Sequence, residues 1–264
     1  MNIHQQTLPD GGRAKTKDYE KRRNLGSAGK LIGEQRILCV FVDDDGSSPW
    51  TLDIRSTVQD HVQRSLRWLE GQAANRGIEL RIQHALAPNG MSVGCHAGCH
   101  INEIDECAGP HHSGWQNTVV VRITGYGKVS EGWAAMFTSH GLSLDASDGS
   151  AMLFFVRRLV PSIAFPYKAG EHDEFELERG IIYDLGGVID GQRHLDSLIA
   201  HELLHLYGAV DLKPGKAPSG VSPELCLDPD EVMNFPTQHE ITGYRINELT
   251  EYLIGWRDAD PVVK

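Results

Sequence analysis

The hydrophobic pattern begins late. Residues 1–35 are polar, rich in Gly, Lys and Arg, and without a period, which predicts a flexible leader. The first apolar run, Arg36-Ile37-Leu38-Cys39-Val40-Phe41-Val42, is nearly continuous and predicts a buried strand. Asp43-Asp44-Asp45-Gly46 ends it with a turn. Ser56 and Gln59 then read as a capping box, with Val58, Val62, Leu66 and Leu69 on one helical face up to Gly71. Glu79–Leu86 alternates as a strand, Thr118–Ile123 reads as another, and Gly132–Ser139 as a short helix. Met152–Leu159 is strand-like, and Phe175–Tyr183 predicts an edge strand and its neighbour. An apolar helix over 194–207 follows, then a last helix marked by Ile246, Leu249, Leu253 and Trp256, with Thr242 as its cap. Strands alternating with a few helices give an α/β or α+β class with one mixed sheet. The domain division is a leader, 1–35, and one globular domain, 36–264.

Composition narrows the function classes. A net charge of −11 argues against nucleic acid and acidic membranes as partners. No apolar run approaches the roughly 18 residues of a membrane helix. The stretch MNIHQQTLPDGGRAKTKDYEKRRN has no apolar segment behind its charges, so the expected location is cytoplasmic, or secreted if a leader has been removed. Five cysteines are an odd count, which disfavours a disulfide framework.

The chemistry concentrates in HLDSLIAHELLHLYGAVD, residues 194–211. His201 and His205 are four apart, one turn apart on the same helical face, so their imidazoles converge on one ion. Glu202 lies about 100° further round. There it stands beside the metal and takes a proton from water. That is the physical content of H-E-x-x-H: two zinc ligands and a general base. A third ligand is needed, with one position left for water. On a continuous helix Asp211 would lie about 9 Å up the axis from His205, out of reach. Gly208 supplies the break, because glycine tolerates the left-handed conformation that ends helices. Asp211 then closes the site with a carboxylate oxygen. Glu224, Asp228, Asp230, Glu231 and His239 are downstream alternatives for the third ligand. A purely structural alternative, core histidines beside a solvated glutamate, leaves Gly208 and Asp211 without a reason for their offsets.

With these residues in view, His201-Glu202-x-x-His205-x-x-Gly208-x-x-Asp211 resembles the extended zinc motif of the metzincin metalloproteases. Aspartate in place of their usual third histidine resembles the snapalysin-like branch. Glu231-Val232-Met233-Asn234-Phe235-Pro236 resembles the methionine turn of that family, about twenty residues past the third ligand. The resemblance implies a single catalytic domain split by a cleft, with a zinc-binding helix, a methionine turn and a C-terminal helix. It also implies a peptide bound along an edge strand and zinc held by His201, His205 and Asp211, with Glu202 as general base. Some metzincins carry a tyrosine two residues after the methionine. Here Phe235 stands there, so oxyanion stabilisation falls to Tyr207, Tyr244 or zinc alone. An aspartate ligand reduces the formal charge of the site, so the attacking water keeps its proton to higher pH and activity shifts towards neutral or alkaline conditions. The expected function is zinc endopeptidase on peptide or protein substrates. The alternatives are a catalytically silent zinc-binding regulator and a zinc hydrolase of a small non-peptide amide; an intact Glu202 speaks against the first.

A second cluster, GCHAGCHINEIDECAGPHH over residues 94–112, holds Cys95, His96, Cys99, His100, Cys107, His111 and His112. These are zinc-type ligands, but C-x₃-C-x₇-C matches no specific zinc pattern. A long loop between strands is the favoured reading, with a second structural zinc near Cys95, Cys99 and Cys107 as the alternative. Cys226 is a pairing partner for these thiols under oxidising conditions. Asp43-Asp44-Asp45 lacks the loop pattern of a calcium site and reads as a strand-end turn.

Overall fold

The computed structural model of the chain describes residues 18–46, 48–85, 93–97, 101, 114–167, 175–189, 192–213, 215–219 and 221–261. In chain order the elements are β1 (Gly33–Asp43), α1 (Leu52–Ala74), β2 (Leu80–Ala85), β3 (Val93–His96), α2 (Gly114–Thr124) and α3 (Val129–Ser139). They continue with β4 (Gly149–Val156), β5 (Ile163–Phe165), β6 (Glu178–Tyr183), β7 (Val188–Ile189), β8 (Gln192–Arg193), α4 (Leu195–Leu206), α5 (Pro223–Cys226) and α6 (Glu248–Leu253). No helix among the described residues is long and apolar enough to cross a membrane.

Six strands form one mixed sheet in the order β2-β1-β4-β6-β5, with β3 paired to β1 beyond the end of β2. Every pairing is parallel except β5 on β6. Residues 35–42 of β1 and all of β4 are buried, as a parallel strand covered on both faces requires. Alternate residues serve two cores. Ile37, Cys39, Phe41, Leu153 and Phe155 pack on one side with α1 and α4. Leu38, Val40, Val42, Met152 and Phe154 pack on the other with Trp115, Val119 and Phe137 from α2 and α3.

Four local readings change. Thr118–Ile123 belongs to helix α2, not to a strand. Its run of β-branched residues favours extended chain, but Trp115, Val119 and Ile123 recur at helical spacing and cover the second core, so packing overrides propensity. Phe175–Tyr183 supplies one interior strand, β6; the edge strand is β5, too short to show alternation. Helix α1 starts before Ser56, at a cap where Thr51 Oγ1 accepts from the Ile54 N–H at 3.4 Å. Helix α6 is capped by Asn247, whose side chain accepts from the N–H groups of Leu249 (3.0 Å) and Thr250 (2.9 Å). Thr242 sits instead in a 3₁₀ turn, Ile241–Gly243.

The part of the 1–35 leader that lies within the described residues, 18–35, is docked rather than free. Tyr19 and Leu31 are fully buried in the core that holds α4. Backbone N–H groups of Asn24 and Leu31 donate to Leu253 and Ile254 (3.2 and 2.9 Å). Ser27 Oγ donates to the buried Glu178 carboxylate at 2.8 Å. Polar composition hid this, because the segment docks mainly through backbone groups and two well-spaced apolar side chains.

Candidate metal centre

Helix α4 is buried along almost its whole length, which explains its apolar sequence. Arg64 Nε of α1 donates to Asp196 Oδ2 (3.1 Å) and Ser65 Oγ to the Asp196 carbonyl (2.6 Å), fixing the helix start. Its end is a Schellman motif: Gly208 N–H donates to His205 O and Ala209 N–H to Leu204 O, both at 3.1 Å, with Gly208 at φ +102°. The chain then turns back, and Asp211 arrives opposite the two histidines, as the glycine break predicts.

His201 Nδ1 donates to Val232 O at 3.0 Å, and His205 Nδ1 donates to Ala209 O at 2.8 Å. A carbonyl only accepts, so each Nδ1 carries its ring's proton. In the neutral rings, both Nε2 atoms therefore present lone pairs. Those two nitrogens lie 3.0 Å apart. Asp211 Oδ1 lies 3.5 Å from His201 Nε2 and 3.8 Å from His205 Nε2, and accepts no hydrogen bond although buried. Three electron-pair donors thus face one point. Ligands about 2.05 Å from a tetrahedral zinc stand about 3.3 Å from one another, close to these separations. Two imidazole nitrogens and one carboxylate oxygen are a zinc-type donor set, and the residues fit the ion.

The electrostatics agree. Burial, then the charge of His201, pushes His205 down to about 3, which keeps its lone pair available at neutral pH. Burial acts downward on His201 too, but Asp211 and Glu202 outweigh it and raise it, so this point favours positive charge. Burial pulls Asp211 up, yet His201, His205 and Lys213 hold it below the usual carboxylate range. Glu202 is almost fully buried. Burial raises it to about 7, against the downward pull of His201.

These four side chains line a cleft of about 570 Å³. Ile163 and Ala164 of the edge strand β5 line it too, as do Phe235 and the exposed Leu159. In the turn at 231–236, Asn234, Phe235 and Pro236 line the cleft and the three residues before them are buried. Val232 and Met233 are buried, Met233 O accepts from the Leu212 N–H at 2.9 Å, and Glu231 accepts from Thr250 Oγ1 at 2.8 Å. Val232 O therefore orients His201 from a braced backbone, a role sequence spacing did not reveal.

Other expectations resolve differently. Tyr207 is buried and donates its hydroxyl to Gln35 Oε1 at 2.7 Å. The Tyr244 hydroxyl accepts from the N–H groups of Gln238 and His239 and donates to Phe235 O. Neither lines the cleft, so neither is placed to stabilise an oxyanion. Among the downstream alternatives, Asp228 is paired with Arg245 at 2.7 Å and Glu231 with Thr250. Among the described residues, the clustered metal-type ligands are His201, His205 and Asp211. Of the 94–112 cluster, Cys99, His100, Cys107, His111 and His112 lie outside the described residues. Cys95 and Cys226 are free thiols, and His96 faces Asp45 at 3.3 Å. Asp44 is buried against Arg158 at 2.7 Å, a strand-end turn as expected. Sequence reasoning missed Arg22 and Lys213, two cations that line the cleft; only the proximity of Lys213 to Asp211 in the chain hinted at either.

No protein-family model and no curated protein matches the chain, and the convergence of His201, His205 and Asp211 stands on its own geometry.

Proposed function

We propose that the chain is a zinc-dependent endopeptidase, of the snapalysin-like metzincin type its motif resembles. The observation that carries this reading is the pair of Nε2 lone pairs and the Asp211 carboxylate aimed at one point, with Glu202 buried in the same cleft. Zinc held by His201, His205 and Asp211 would supply Lewis acidity, polarising the scissile carbonyl and acidifying the attacking water. Glu202 accepts the proton of that water and passes it to the leaving amine, a role suited to a carboxyl that lines the cleft beside both histidines. Val232 O and Ala209 O hold the two imidazoles in the tautomer and orientation that binding requires. An extended peptide suits the cleft, because β5 ends the sheet and leaves its outer edge without a strand partner among the described residues. A small closed pocket, as expected of a hydrolase of small amides, is not what the edge strand offers.

The test is cleavage of a proteome-derived peptide library by the zinc-loaded protein, with new termini sequenced by mass spectrometry and Glu202→Ala as the paired control. Cuts that require Glu202 support the reading. Zinc-loaded protein that cuts nothing, or cuts equally as Glu202→Ala, contradicts it.

A further inference from the structure

We propose that Arg22 forms an anion subsite in this cleft and selects peptides that present a carboxylate next to the metal centre. The inference rests on the endopeptidase reading and adds the substrate class. Arg22 is exposed and lines the cleft together with His205, Asp211 and Lys213. Its side chain makes no hydrogen bond or ion pair among the described residues. The next residue shows the contrast: Arg23 stacks over the Tyr252 ring at 4.2 Å and pairs with Asp258 at 3.5 Å.

The position of Arg22 is fixed by the end of the zinc-type helix. A Cβ at Gly208 would stand 2.1 Å from Arg22 O, and one at Gly26 would stand 2.7 Å from Leu206 O. The N–H groups of Leu25 and Asn24 donate to Arg22 O (3.0 Å) and Leu253 O (3.2 Å). The backbone at residue 22 is thus clamped where α4 ends, beside the cleft that Arg22 lines. Lys213 adds a second cation, its Nζ 3.6 Å from Asp211 Oδ1. The two carboxylates of the lining, Glu202 and Asp211, balance its two cations, and Lys213 is held by Asp211, so Arg22 is the cation this lining leaves for an incoming anion among the described residues. A guanidinium binds a carboxylate through two parallel hydrogen bonds, so a carboxylate is the chemistry this side chain selects. An acidic side chain or the free C-terminus of a peptide would supply it.

The experiment uses four fluorescein-labelled decapeptides, with Glu or Gln at the internal positions and with a free or amidated C-terminus. Binding to zinc-loaded Glu202→Ala protein is read by anisotropy, and cleavage by the wild type is followed in parallel. The expected result is roughly tenfold tighter binding when the favoured carboxylate is present, falling to near parity when Arg22→Ala is added. Arg22→Glu is expected to reverse the preference. The Glu/Gln pair and the free/amidated pair identify which carboxylate is read. Equal binding of all four peptides, or a preference that survives Arg22→Ala, overturns the inference. Cleavage without such a preference leaves the endopeptidase reading intact and removes only the subsite. An Arg22-dependent preference without cleavage keeps the subsite and removes the endopeptidase.

Discussion

Gly208→Ala should damage both the fold and the metal centre, and the size of the effect can be worked out from local geometry. Gly208 has φ +102°, where an alanine costs about 1–2 kcal/mol. The stiffer unfolded chain offsets about 0.4–1 kcal/mol of that. The new Cβ would also stand 2.1 Å from Arg22 O and 3.1 Å from Arg22 C. Those are backbone atoms that cannot swing aside, and overpacking of this kind adds about 1–3 kcal/mol. The matched control is Gly141→Ala. Gly141 ends α3 with the same motif, its N–H donating to Thr138 O and the Leu142 N–H to Phe137 O, at φ +75°. Nothing lies within 4 Å of a Cβ there. Urea denaturation should therefore show Gly208→Ala to be less stable than Gly141→Ala by about 1–3 kcal/mol. Zinc affinity should fall about tenfold or more in Gly208→Ala alone, because Ala209 O orients His205. Equal stability losses in the two variants would refute the account of how the N-terminal segment docks on the helix end.

Tyr19→Ala should cost about 3–5 kcal/mol by denaturant unfolding, since the ring is fully buried; a dispensable leader would show under about 0.5 kcal/mol. Burial raises Glu231 from 4.5 to about 8. The folded state then keeps a proton that the unfolded chain releases, so this contribution to stability is complete below about 4.5 and is lost as pH rises towards 8. The urea midpoint of the wild type should accordingly fall more steeply from pH 5 to pH 8 than that of Glu231→Gln; parallel profiles would remove Glu231 as the cause. Asp211→His raises the positive charge of the centre, so the acidic limb of the pH–rate profile should move to lower pH, and an unmoved limb would contradict the charge argument.

The parts of the molecule that were legible in the sequence share a physical cause. Strand β1 and helix α4 are buried on nearly all sides, and long apolar runs report that directly. The offsets of His201, His205, Gly208 and Asp211 follow from helix geometry, which is local. Three things were illegible because they depend on distant partners. Residues 114–124 form a helix that packs on a sheet face built from distant parts of the chain. The edge strand β5 has three residues and takes its conformation from β6. The approach of Arg22 to the cleft depends on backbone contacts with residues more than 180 positions away, and no periodicity records such a contact.

The most direct test of the central claim is a zinc titration by competition with a chromophoric chelator, run on the wild type, His201→Ala and Glu202→Ala. One equivalent of tightly bound zinc is expected in the wild type and in Glu202→Ala, and loss of that equivalent in His201→Ala. Absence of zinc binding in the wild type would contradict the metal centre outright. Loss of zinc in Glu202→Ala as complete as in His201→Ala would make Glu202 a ligand and remove it as the general base.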